Sequence, residues 1–179
     1  PLGWLAHKSG PAREVLVVLT SLIYVIPSLA MFILMPLVLG TSILSPLNVV
    51  AAMTLYGIAL MVRSAADAFD AVPNDVRQSA TAAGYAPARR VLAVELPLAT
   101  PGLISGLRVV AASTISLVSV GALIGVQSLG TLFTEGFQRS FPTEILAGLV
   151  GTVLLAVVVD LLIVALGHAA TPWTRSGGR

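Results

Sequence analysis

Hydrophobic residues fall into four long runs, at 15–39, 46–62, 98–126 and 145–168, with polar residues gathered between them. A helix needs roughly 20 apolar residues to cross a hydrocarbon core, within a range of about 17–25. The first and fourth runs fit. The second is short and reaches spanning length by continuing through an amphipathic stretch to residue 69. The third is long enough to tilt, or to break near Gly121 and Gly125. None of the runs alternates polar with apolar, and an open sheet edge would find no hydrogen-bond partner in lipid. The pattern predicts an all-α, polytopic transmembrane helix bundle, with spans at about 15–39, 46–69, 98–126 and 145–168. Pro27 and Pro36 lie inside the first run, where a proline either kinks a packed helix or supplies a hinge.

Composition agrees. Of 179 residues, 56% are hydrophobic and 10% charged, against about 25% charged in a soluble domain. That is too little charge to cover a soluble surface. A net charge of +2 and a single lysine, Lys8, leave no basic patch for nucleic acid. The absence of cysteine excludes disulfides, thiol catalysis and thiolate metal sites. His7 and His168 sit at the ends of segments, and Asp160 is the one acid deep in an apolar run. These do not assemble an intramembrane enzyme, so no catalytic, cofactor or metal site is predicted. His168 and Trp173 read as interfacial anchors. Residues 1–13 lack the apolar core and cleavage site of a signal peptide.

Charge also predicts orientation. Lys8 and Arg13 precede the first run. Arg63, Arg77, Arg89 and Arg90 lie between the second and third, and Arg175 and Arg179 follow the fourth. The segment 40–45 has no charge, and 127–142 has Arg139 as its one cation. By the positive-inside rule both visible termini and the central loop are cytoplasmic.

That central stretch, 63–97, holds eight of the eighteen charged residues, four of each sign. Asn74 and Asp75 suit a helix start, and Gly84 a helix stop. Pro87 suits the first turn of a second helix, which Pro97 is expected to break before the membrane. The prediction is a cytoplasmic helical hairpin exposing Ala80, Ala83, Tyr85 and Ala86. Two roles fit it: a docking element for another protein, or an ordinary connecting loop. Glu95, just ahead of Pro97, reads as a membrane-surface charge, with a backbone N–H or a nearby arginine as its other possible partner.

The residues of this loop resemble the EAA signature of bacterial ABC importer permeases. That signature runs EAA, three residues, Gly, nine residues, an aliphatic residue, one residue, then Leu-Pro. Here Gln78-Ser79-Ala80 stands at EAA, Gly84 at the glycine, Val94 at the aliphatic position and Leu96-Pro97 at the close, with the full spacing. Gln78 and Ser79 depart from the pattern. IPSLAMF at 26–32 and SLGTLFTEGFQRSFPTEILAGLV at 128–150 are similar to stretches of the osmoprotectant subgroup. Methionine-importer permeases are the next most similar, and the alternative of a different class is a structural membrane subunit or passive channel, against which the coupling motif argues.

The resemblance implies a single permease transmembrane domain over 1–179, with a coupling loop at about 70–97. Gln78, Ser79, Ala80, Ala83, Gly84, Tyr85, Pro87, Val94, Leu96 and Pro97 would meet the ATPase. It implies a second permease subunit, identical or paralogous, a cytoplasmic ABC ATPase dimer holding ATP and Mg, and an extracytoplasmic binding protein. The location is the bacterial inner membrane. It further implies a span preceding the first one seen here. The chain has no G-x-x-x-x-G-K-[ST] loop, so a partner must handle ATP.

Within the spans, Ser113, Ser116 and Ser119 share a helix face, fitting either a polar pathway or close helix packing. Tyr24 and Tyr56 offer aromatic faces to a quaternary ammonium. Arg108 and Asp160 lie at similar depths, roughly 10 and 12 Å from the same membrane side. They are expected either to pair or to reach polar surroundings separately.

Overall fold

The computed structural model describes residues 18–20 and 22–172. Residues 15–17 of the first expected span, and Lys8, Arg13, Trp173, Arg175 and Arg179, lie outside the described residues. Helical residues 22–25 stop at Ile26 because a residue before proline is pushed out of the α region. The chain resumes as α1 (Ser28–Leu39), which contains Pro36 and ends at Gly40. The Ile26 carbonyl, left free by this break, accepts a hydrogen bond from the Tyr56 hydroxyl.

Helix α2 (Pro46–Asp70) starts under a Ser45 cap, with Pro46 in its first turn. It is the most buried of the three long helices. Met31, Phe32 and Met35 of α1 pack against its Val49, Ala52, Met53 and Tyr56. Asn48 is wholly buried in this span and fully used. Its amide donates to the carbonyls of Ser42 (2.8 Å) and Ile43 (3.3 Å) and accepts from the Thr41 hydroxyl. One polar side chain thereby pins the α1–α2 loop at no unsatisfied cost.

After α2 come α3 (Asn74–Ala82), α4 (Pro87–Arg90), a π-helical turn (Val91–Glu95), α5 (Leu96–Val118) and a 3-10 segment (Ser119–Ile124). The break expected at Pro97 does not occur. Pro87–Ile124 is one continuous helix of 38 residues. The π turn explains it: the Leu96 N–H reaches back five residues to Val91, next to the point where Pro97 has no N–H to offer. So α4 is the first turn of the third span. The helix ends at Gly125, in a left-handed conformation, close to the break read from the glycines.

Helix α5 lies along α2 through a feature the hydropathy pattern does not reveal. Gly102 and Gly106 face Ala68 and Ser64. A Cβ added at Gly106 would come within 2.5 Å of the Ser64 Cβ, and at Gly102 within 2.8 Å of the Ala68 Cβ. This is a G-x-x-x-G pair set on a small-x-x-x-small partner, which lets two backbones approach.

The chain then forms α6 (Thr131–Gln138) and α7 (Pro142–Ala170); α6 packs on α7, and α7 on α5. Among the described residues, α2, Pro87–Ile124 and α7 are long and apolar enough to cross a membrane. A fourth span results if the bent pair Val18–Val25 and Ser28–Leu39 is counted as one.

Candidate functional site

The hairpin is built by its turn. Asp75 lies in the first turn of α3, where a negative charge meets the helix dipole favourably. At the other end Gly84 has φ +81°. Its N–H donates to Thr81 O (3.0 Å), and the Tyr85 N–H reaches back to Ala80 O (3.1 Å). This paired closure is the Schellman arrangement, and it needs a residue at ease in the left-handed region. Two residues of the motif, Ala80 and Gly84, therefore sit at the two ends of the helix stop. Pro87 then opens α4. Gln78, Ser79, Ala83, Tyr85, Ala86 and Pro87 are exposed, but Ala80, expected on the same exposed surface, is buried; Val94, Leu96 and Pro97 are part-buried at the base of α5. Arg89 stacks over the Tyr85 ring at 5.4 Å.

Beneath the hairpin lies a network in which Glu95 takes the arginine partner left open by the sequence, not the membrane-surface position. Glu95 is not a surface charge; it is 2% exposed. Its Oε1 accepts from Arg90 Nε at 2.8 Å, and its Oε2 lies 3.9 Å from Arg77 Nε. Arg90 also donates to the Thr81 hydroxyl (2.9 Å), which donates in turn to the Arg77 carbonyl (2.8 Å). Arg77 reaches Asn74 Oδ1 (3.2 Å) and the Phe69 carbonyl near the end of α2. Burial is tolerable because the carboxylate is paired. Arg77, Gln78, Thr81 and Arg90 also line an open cleft of ≈ 490 Å³ on the hairpin surface.

Farther along the spans, Arg108 of α5 and Asp160 of α7 meet as a bidentate pair: Nε to Oδ1 at 2.6 Å and Nη2 to Oδ2 at 2.8 Å. Their side chains are 46% and 39% exposed in the single chain.

With this geometry in view, comparison with known proteins is decisive. Residues 1–176 match the family described as binding-protein-dependent transport system inner membrane component. The chain belongs to this family. The permease is 32% identical over 175 residues to the osmoprotectant import permease protein OsmW of Salmonella typhimurium, covering 96% of this chain and 81% of the relative. It is 29% identical over 179 residues to the glycine betaine/carnitine/choline permease OpuCD of Bacillus subtilis, covering 99% and 77%. It is also 29% identical over 167 residues to the ergothioneine transport permease/binding protein EgtU of Helicobacter pylori, covering 93% of this chain but 30% of that longer protein. Its fold is similar to a chain of the MetNI methionine ABC transporter in an inward-facing crystal form, with TM-score 0.82, 20% identity, and coverage of 96% and 85%.

The remaining residues singled out in the permease are spread along its spans. Tyr24 and Tyr56 form an edge-to-face pair, ring centroids 5.9 Å apart. Tyr56 is 3% exposed and committed to the Ile26 carbonyl, whereas Tyr24 is 45% exposed. Of the serines, Ser116 is exposed and Ser113 and Ser119 are half-buried. A Cβ on Gly130 would collide with the Ser119 backbone at 2.1 Å, so Ser119 is also a packing position. An apolar groove of ≈ 470 Å³ between α2 and α5 is lined by Met53, Thr54, Gly57, Val110 and Thr114. His168 lies in the last turn of α7.

Proposed function

We propose that this chain is the membrane-spanning permease subunit of an ATP-driven importer for an osmoprotectant such as glycine betaine, choline, carnitine or proline. The observation that carries the reading is the hairpin: an EAA-spaced helix stop whose second arm runs without a break into the third span. A push on α3 and its turn therefore has a continuous helix through which to act. The exposed hairpin residues Gln78, Ser79, Ala83, Gly84, Tyr85 and Pro87 meet a cytoplasmic ABC ATPase dimer, buried Ala80 closes the helix stop behind them, and Val94, Leu96 and Pro97 seat the hairpin on the span. ATP and Mg bind and react on that partner.

The arginines at 63, 77, 89 and 90 support a cytoplasmic hairpin by the positive-inside rule, with the uncharged 40–45 loop on the other side. A second permease subunit, identical or paralogous, completes the pathway, and an extracytoplasmic binding protein delivers the cargo. The osmoprotectant assignment is supported by the names of the relatives above and by the exposed Tyr24 ring, which suits a quaternary ammonium. Ser113 and Ser116 supply hydroxyls to the same pathway.

The test is reconstitution of this chain with its ATPase and binding protein in proteoliposomes. Uptake of labelled glycine betaine, choline, carnitine, proline, ergothioneine and methionine is compared with ATP hydrolysis. ATP-dependent uptake of an osmoprotectant, with hydrolysis stimulated by loaded binding protein, is expected. Uptake of methionine alone would replace the cargo assignment, and uptake without ATP would overturn the importer reading.

A further inference from the structure

We infer that Glu95 is the positioning residue through which movement of the coupling hairpin enters the membrane span. The inference rests on the importer reading above. Four observations point to it. Glu95 is the last residue of the π turn, the joint between α4 and α5. It is almost wholly buried, where a carboxylate is costly unless it is paired. It is held from its own arm by Arg90 at 2.8 Å, and Arg90 simultaneously grips Thr81 on α3. Finally, the network is open at one place: Arg77 Nε is buried without a hydrogen-bond partner, 3.9 Å from Glu95 Oε2.

A buried N–H without a hydrogen-bond partner, 3.9 Å from the carboxylate oxygen it already faces as an ion pair, is one short step from closing a hydrogen bond. Arg77 is on α3, the arm that bears Gln78 and Ser79, and it is also anchored to the end of α2. A partner pressing on α3 moves Arg77 toward Glu95. The carboxylate then links α3, α4 and the base of α5 as one body, so that the push turns the span instead of bending the π turn. The open cleft above gives a partner access to the same two arginines.

The experiment measures import per ATP hydrolysed in the reconstituted complex, with co-purified ATPase as the check on assembly. Variants are Glu95→Gln and the apolar pair Arg90→Met/Glu95→Met, which removes the network without stranding a charge. The expected result is an assembled complex in which import per ATP falls roughly fivefold or more, the lower end of coupling between linked sites. Import per ATP equal to the unmodified complex in either assembled variant would overturn the inference. So would loss of assembly in the apolar pair, because the network would then be a folding element. The importer reading is judged separately, on the unmodified complex.

Discussion

At the scale of the residue, Gly84 shows how a motif position follows from backbone geometry. Nothing lies within 4 Å of a Cβ built on it, so a side chain there meets no neighbour. The constraint is φ +81°, which costs an L-residue roughly 1–2 kcal/mol. Gly84→Ala should weaken the hairpin by about that much, and Gly84→Asn by less, because asparagine tolerates the left-handed region. Co-purification of the ATPase should fall in the order Gly, Asn, Ala. Equal retention by all three would show that the Schellman stop is not what presents the docking surface. Glu95 teaches the opposite lesson. Its burial depends on two arginines, five residues back along its own helix and on the other arm, and nothing in the adjacent apolar run indicates which way the side chain turns.

At the scale of the element, the contact between α2 and α5 is set by two glycines. A Cβ at Gly106 meets Ser64, whereas one at Gly57 comes only to 3.4 Å from Val110. Overpacking of this kind costs typically about 1–3 kcal/mol. Gly106→Ala should lower the thermal unfolding midpoint in detergent, Gly57→Ala should not, and Ser64→Gly should recover part of the Gly106→Ala loss. Additive losses in the double variant would remove the close approach as the cause. Three of the four apolar runs contain helices long and apolar enough to span, and the first is a bent pair; length and hydropathy were readable, the bend's extent was not. The Gly102-x-x-x-Gly106 spacing was also in plain view, and only its partner on α2 needed three dimensions. The continuity through Pro97 was not readable, since a π turn is a shift of hydrogen-bond register that leaves no mark on periodicity. Nor was α6, whose eight residues are too few to declare a helix by pattern.

At the scale of the molecule, the joint between α5 and α7 poses a question of solvent. Arg108 and Asp160 touch through two hydrogen bonds, yet both are about four-tenths exposed in the single chain. An exposed charge within the hydrocarbon is costly, while a bidentate pair presents little net charge to its surroundings. Two helices that otherwise meet through apolar and small residues, such as Gly167 against Ile104, are thus given one specific register. The pair is then worth more as a whole than either half. Removing one partner strands the other's charge; removing both strands none. Arg108→Met and Asp160→Leu should each reduce the yield of folded, membrane-inserted permease, and Arg108→Met/Asp160→Leu should recover much of it. Recovery of insertion without recovery of import would assign the pair to the transport cycle in addition to packing. A double variant no better folded than the worse single would show instead that each charge serves a different neighbour.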